Sequence, residues 1–150
     1  CNPSFFKNET AVACPKYSST FYVRCSKLKH KDQIFEDIEA WKEARDLTKI
    51  IYDSFSHIKD LGFRDQVQRA TVSVMSNIAE GFDRGSNKEF IQFLTIARGS
   101  VSEVKSLCYA ALDLGYLNRE IVNNIFEKCG KLTNLLNGFI RYLKSSSRKG

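Results

Sequence analysis

The sequence has few of the residues that interrupt helices, and it has no long apolar run. Two prolines and eight glycines in 150 residues favour long helices over a turn-rich β architecture. No stretch approaches the roughly 20 continuous apolar residues that a membrane span needs, so we expect no membrane partner. The two histidines, His30 and His57, are not placed beside a Ser or Cys nucleophile by any motif. We therefore predict no catalytic residue and a protein that is not an enzyme.

The cysteines do not have the pattern of a disulfide framework or of a metal site. Five cysteines are an odd count, and Cys108 and Cys129 fall within apolar helical patterns, which is not typical of a disulfide framework. These two are predicted to be small buried hydrophobes. Cys14, Cys25 and His30 lack the spacing of zinc ligands, and the sequence contains neither GxxxxGK[ST] nor GxGxxG. We predict no metal and no cofactor.

Positive charge is in excess, but it is concentrated at the chain ends. The net charge is +6, with six basic and two acidic residues in 1–33 and four basic residues without an acid in 141–150. The stretch 34–140 is slightly acidic. A basic tail can bind phosphate through counterion release, and it can equally be a solvated tail without a ligand.

The chain divides into an arm and a helical body. Residues 1–33 have no helical period and contain both prolines, so we predict an irregular, basic N-terminal arm. Residues 34–150 show apolar residues at spacings of three and four, which predicts amphipathic helices. Four helices are expected, over about 34–58, 64–80, 86–114 and 118–145.

Local signals support these helices. Ser86 and Glu89 have the spacing of a capping box, Gly115 stands where a left-handed residue ends a helix, and Asn118 can cap the fourth helix. Glu43 is assigned to the charged, solvent-facing side of the first helix. Short connections between four amphipathic helices predict an all-α fold, an antiparallel up-down-up-down four-helix bundle preceded by the arm.

The second helix is apolar or small nearly all the way round. A helix without a wide polar face must be covered on more than one side. In a chain of this length a second subunit supplies that cover most simply, although cover from within the chain is the alternative. The predicted interface residues of a homo-oligomer are Val72, Val74 and Met75.

One stretch of the sequence resembles a known family. The stretch 76–81 reads Ser-Asn-Ile-Ala-Glu-Gly, and Arg84-Gly85-Ser86 and Glu89-Phe90 follow it. The order of these residues is similar to the signature of the bacterial four-helix-bundle proteins encoded in 23S rRNA intervening sequences. This resemblance implies a cytoplasmic helical bundle, typically a ring-like homopentamer, related to RNA-binding accessory proteins of retroelements. The signature residues, which we expect to be mainly structural, are Ser76, Asn77, Glu80, Gly81, Arg84, Gly85, Ser86 and Glu89.

Two interpretations of the signature remain open. Asn77 and Glu80 share a helix face and need polar partners. They can hydrogen-bond the backbone of a loop at 81–85, or they can line a polar groove at a subunit boundary.

The sequence is therefore consistent with two functions. The first is binding of rRNA or another structured RNA by a rim of cations where the second and third helices adjoin. The residues predicted for this rim are Arg64, Arg69, Arg84, Lys88 and Arg98. The second is a structural or protein-interaction scaffold that does not bind nucleic acid.

Overall fold

The structure, a computed structural model, describes residues 34–146, and all regular structure within them is helical. The predicted arm at 1–33 lies outside the described residues. A short 3₁₀ turn at Phe35–Asp37 precedes four α-helices. These are α1 (Glu39–Phe55), α2 (Leu61–Asp83), α3 (Asn87–Asp113) and α4 (Arg119–Ser146).

The helices pack as a closed bundle. Contacts join α1 to α2, α2 to α3, α3 to α4 and α4 back to α1, and the pair α2–α3 is the most extensive. Short connections make neighbouring helices antiparallel, so the predicted all-α four-helix bundle is confirmed.

Every helix contributes large side chains to one apolar core. Burying each such side chain contributes about 1.5–3 kcal/mol, so this core is the main favourable term in folding. The fully buried ones are Leu47, Ile51 and Phe55 of α1, Val67, Val74 and Ile78 of α2, Leu94, Val101 and Val104 of α3, and Ile125, Leu132 and Leu136 of α4.

The connection between α1 and α2 differs from the prediction. The first helix ends at Phe55, and α2 begins at Leu61, three residues before the predicted start. Asp60 causes the early start because its carboxylate accepts a hydrogen bond from the Phe63 N–H at 3.0 Å and caps the helix. Gly62 therefore lies in the first turn of α2.

The predicted loop at 81–85 is wrong in its first part, because α2 continues to Asp83. Gly81 is helical and buried. A Cβ at this position would lie 2.6 Å from Phe93 Cβ and 2.8 Å from Phe90 Cδ2, so the glycine permits α2 and α3 to approach closely. The Ser86 side chain makes no capping hydrogen bond, so the predicted capping box does not form. The chain turns instead at Gly85, whose φ is +69°.

The turn before α4 is as predicted. Gly115 has a φ of +71° and the Tyr116 N–H donates to the Ala111 carbonyl at 2.8 Å. The Asn118 side chain accepts a hydrogen bond from the Ile121 N–H at 2.9 Å and caps the next helix.

Candidate nucleic-acid interface

The five cations of the predicted rim lie in three different places. Helices α2 and α3 do adjoin, but Arg64 lies in the first turn of α2 and Arg84 directly follows its last residue. A separation of twenty helical residues is about 30 Å along the axis. Arg69 lies near the Arg64 end, and Lys88 lies near Arg84 in the first turn of α3. The structure therefore does not bring these cations into one cluster.

Three of these cations also have partners within the bundle. The Arg84 guanidinium lies 2.5 Å from a carboxylate oxygen of Glu80. The hydrogen bond and charge of Glu80 raise the pKa of Arg84. Arg69 donates to the Gln66 side-chain oxygen at 2.7 Å. Arg98 donates to Asn137 Oδ1 at 2.7 Å, which places its guanidinium on the side of α3 that faces α4.

A second cationic surface runs along the flanks where α3 meets α4, and we call it the α3–α4 face. Its residues recur every three or four positions, so each helix contributes one continuous row. The rows are Arg98, Ser102, Lys105, Tyr109 and Leu112 of α3, with Arg119, Asn123, Phe126, Gly130, Thr133, Asn137, Arg141 and Lys144 of α4. These positions include no Asp or Glu.

Contacts across the helix pair show that the two rows face each other. Arg98 and Asn137 are hydrogen-bonded, and Lys105 Nζ lies 5.5 Å from the centre of the Phe126 ring. The rings of Tyr109 and Phe126 have their centres 4.6 Å apart and are tilted by 51°. Within the described residues, no ion pair joins Lys105 to an acid. Two exposed carboxylates, Asp113 and Glu127, bound the face.

The aromatic part of this face is open to solvent. Tyr109 is 55% exposed, which is unusual for a large aromatic side chain already in contact with another ring. Gly130 lies one turn after Phe126, and a Cβ there would have no atom within 4 Å. The ring pair thus stands beside unfilled space along α4.

The α3–α4 face was not predicted as a unit, although Arg98 was included in the expected rim. A signal for it exists in the sequence, because Arg98, Lys105 and Tyr109 follow the spacing of one helical stripe. That stripe borders the apolar stripe of α3, and the spacing alone does not show which of its side chains are exposed.

The three predicted interface residues of α2 have different environments. Val74 is fully buried inside its own bundle and therefore cannot present its side chain to a partner, so its assignment is wrong. Val72 is 38% exposed on the outer side of α2. Met75 is half-buried, and the Thr48 hydroxyl lies 3.2 Å from its sulfur. For Val72 and Met75 the interface assignment stays a prediction.

The signature residues lie in the last turns of α2, in the turn that follows it and in the first turn of α3. The Asn77 side chain donates to the Ser73 carbonyl at 2.7 Å, one turn earlier, so the predicted bond to the following loop is wrong. Ser73 and Ser100 share a hydrogen bond of 2.9 Å between their hydroxyls. Glu80 pairs with Arg84, the next turn along the chain. Of these bonds only the one between Ser73 and Ser100 joins the two helices, and the bonds of Asn77 and Glu80 are made within one turn of the chain.

Two other observations concern the outer side of α2 and the neighbouring flank of α3. A shallow groove of about 500 Å³ is lined by residues that include Tyr52, Arg69 and Val72. On α3, Ile96 is 52% exposed, and a Cβ on Gly99 would meet nothing within 4 Å. The small residue at 99 therefore does not serve a close helix approach within the chain.

Glu43 is buried, which corrects its predicted place on the solvent-facing side of α1. The side chain is 5% exposed and lies between two ammonium groups of α4, 3.1 Å from Lys128 and 2.5 Å from Lys131. Burial by itself would raise the pKa of Glu43, but the two ammonium groups outweigh that effect and hold the pKa below its ordinary value. This ion-pair cluster fixes α4 against α1.

The described residues offer little for chemical catalysis. Cys108 and Cys129 are buried, as predicted. Burial raises the pKa of Cys108 to about 12 and that of Cys129 to about 11, so neither forms a thiolate at neutral pH. Within residues 34–146 there is no group of three or more His, Cys, Asp or Glu residues that could hold a metal ion. No helix in this range is long and apolar enough to cross a membrane.

Comparison with known proteins agrees with the fold and the signature. A family model described as "23S rRNA-intervening sequence protein" matches residues 36–138, which include all of α1, α2 and α3 and most of α4. The chain belongs to this family. The family's description names no enzymatic activity. No curated protein matches the chain.

A solved structure shows the same fold. It is a protein of unknown function from the S23 ribosomal protein family of Bacteroides thetaiotaomicron, and it is 21% identical to this chain with a TM-score of 0.64. The similarity covers 67% of this chain and 97% of the other. At this level of identity the likeness supports the bundle architecture alone.

Proposed function

We propose that this family member is a non-catalytic, cytoplasmic homo-oligomer that binds RNA along its α3–α4 face. The observation that carries the proposal is the pair of rows with five cations and no Asp or Glu. The cations Arg119 and Lys144 mark its two ends on α4 and are separated by about 37 Å along the helix. This length suits contact with several phosphates.

Phosphate contacts make a quantitative prediction. Each cation that neutralises a phosphate releases a counterion, so the logarithm of affinity falls with the logarithm of salt concentration by about 0.7 per contact on a single strand. The slightly acidic composition of residues 34–140 limits binding elsewhere on the bundle. The family's name, which refers to 23S rRNA, supports rRNA or another structured RNA as the ligand.

The test compares two pairs of exposed cations with equal change in charge. The variant Arg119→Glu/Lys144→Glu removes two cations from the α3–α4 face, and Arg69→Glu/Lys88→Glu removes two from the originally predicted rim. Fluorescence anisotropy with labelled rRNA fragments measures affinity for the full chain. We expect the first pair to weaken binding about 10- to 100-fold and to reduce the salt slope by about 1.4, with a change of about threefold or less for the second.

The result also decides between the two surfaces. Equal losses in both variants would mean that only net charge matters, and a larger loss in the second would assign binding to the α2–α3 rim. Absence of RNA binding by the wild-type chain at low salt would contradict the proposed function.

The alternative function is a structural or protein-interaction scaffold. It is favoured by the outer side of α2 and the neighbouring flank of α3, where Val72 and Ile96 are exposed and Gly99 leaves open space. We propose that this region joins copies of the chain, five in number on the family resemblance. Light scattering on Val72→Glu should then give a lower mass than the wild type, and an unchanged mass would exclude Val72 from the interface. An intact oligomer that binds no RNA would favour the scaffold.

A further inference from the structure

The aromatic end of the α3–α4 face combines a partly exposed ring pair, a cation and open space. Tyr109 contacts Phe126 through its ring and still has more than half of its surface exposed. Lys105 lies over the Phe126 ring at 5.5 Å. Gly130 leaves the adjoining stretch of α4 without a side chain. The exposed ring of Tyr109 therefore lies near the Lys105 ammonium group and the open space beside Gly130.

This combination matches the chemistry of an unpaired nucleotide. A base has a flat π-face that stacks on an aromatic ring. Such stacking contributes strongly to binding affinity and does not require a particular nucleotide sequence. Cations along a groove beside the ring can follow the phosphates on either side of a stacked base. Lys105 lies beside the rings, and Arg98 and Arg119 lie further along the two rows.

We propose that the exposed ring of Tyr109, supported by Phe126, forms a base-stacking site, so that the RNA on the α3–α4 face is single-stranded at this point. This inference rests on the proposed function and specifies the class of RNA. A duplex is a poor fit because its bases are already stacked on each other, and the deep, narrow major groove of A-form RNA admits no side chain to them. A loop, a bulge or a single-stranded end supplies free bases.

A protein partner fits this surface less well. An acidic peptide would be attracted by the cations, but it offers no flat aromatic surface in general. A nucleic acid strand brings both the phosphates for the cations and the bases for the rings.

The test uses the full chain and three probes of one sequence: a single-stranded RNA of about eight nucleotides with a central 2-aminopurine, the same strand with an abasic centre, and its duplex. Tyr109→Ala removes the exposed ring, Tyr109→Phe keeps it, and Tyr52→Ala removes another exposed tyrosine as the matched control. Anisotropy measures affinity, and 2-aminopurine quenching reports stacking of the base.

We expect quenching when the wild type binds the single strand and weaker binding to the abasic strand and to the duplex. Tyr109→Ala should lose the quenching and weaken single-strand binding about 5- to 100-fold, while Tyr109→Phe and Tyr52→Ala should behave as the wild type. Equal affinity for all three probes, with no effect of Tyr109→Ala, would overturn the stacking site and leave the proposed function intact. Failure of every RNA probe to bind would overturn both.

Discussion

The two flanks of α3 belong to one helix but differ in charge and packing. On the flank facing α2, Ser100 bonds Ser73, and Glu103 accepts a hydrogen bond from Gln66 at 2.6 Å. On the flank facing α4, Arg98 and Lys105 have no acidic partner within the described residues. The comparison shows that polar side chains pair across the contact with α2, whereas the flank facing α4 carries two cations that have no acidic partner within the described residues.

Side-chain size explains the difference. Gly81 lets α2 approach α3 so closely that Phe93 Cβ would lie 2.6 Å from an added methyl group. Helices in such contact leave room only for small groups between them. Between α3 and α4 the aromatic rings of Tyr109 and Phe126 fill the flank, and the cations lie beside them. One flank thus stabilises the fold, and the other carries cations of the proposed RNA-binding face.

The largest effect should come from changing the inner rather than the outer side of α2. Val74→Glu places a charge in the apolar core, where burial of an unpaired carboxylate costs several kcal/mol, so we expect the bundle not to fold. Val72→Glu changes an exposed position and should leave the helix content nearly unchanged, while the melting temperature falls only as far as the oligomer dissociates. Circular dichroism measures both. A folded Val74→Glu chain would show that the core is not packed as described.

Glu43→Gln should lower stability without touching either flank of α3. Loss of a charge-assisted hydrogen bond to the two lysines of α4 costs about 1–3 kcal/mol, reduced by the partial exposure of Lys131. Chemical denaturation at neutral pH measures the loss. RNA affinity should stay within about twofold because the cations of the α3–α4 face are unchanged.

The same variant tests the pKa of Glu43. The pKa of Glu43 in the folded chain lies below its ordinary value. Its contribution to the free energy of unfolding is therefore present at neutral pH and is lost as the pH falls from about 4.5 through the lower native pKa. The variant should lack this part of the acid dependence of stability. Parallel stability curves for both chains below pH 5 would contradict the lowered pKa.

Replacing Gly81 or Gly99 by alanine should change the stability of the chain in opposite directions. Gly81→Ala should destabilise the chain by about 1–3 kcal/mol because Phe93 Cβ belongs to a helix that cannot shift easily. Gly99→Ala has open space and should stabilise the single bundle by up to about 1 kcal/mol through helix propensity. Thermal melting of both variants checks the opposite signs. If Gly99 contacts another copy, its alanine variant should also lower the oligomer mass.

Much of the fold could be predicted from local patterns. The four helices, the left-handed Gly115 and the cap at Asn118 follow from residues close together in the chain. The end of α2 could not be predicted in the same way. Glycine usually ends a helix, but at Gly81 the contact with Phe93 of the next helix stabilises continuation. Packing between α2 and α3, rather than the local preference of glycine, therefore determines where α2 ends.

The candidate site was predicted less completely than the fold. Cations could be counted in the sequence, but whether one is paired depends on the neighbouring helix. Arg84 of the predicted rim is an exception, because its partner Glu80 stands four residues earlier in the chain and could be found from the spacing. Arg98 was assigned to the same rim, and its bond to Asn137, 39 positions away, places it on the other flank.

The sequence by itself determined that the chain is helical, how many helices the body has, which stripe of each is apolar, and which family it belongs to. These properties depend on spacings of three and four residues and on a short motif. Only the tertiary structure decided that Glu43 is buried and bonded to a lysine 88 positions away. It also decided that Val74 lies in the core and Val72 on the surface, and that Lys105 lies over the ring of Phe126. The physical reason is that burial and charge pairing depend on distances between helices, which no local pattern contains.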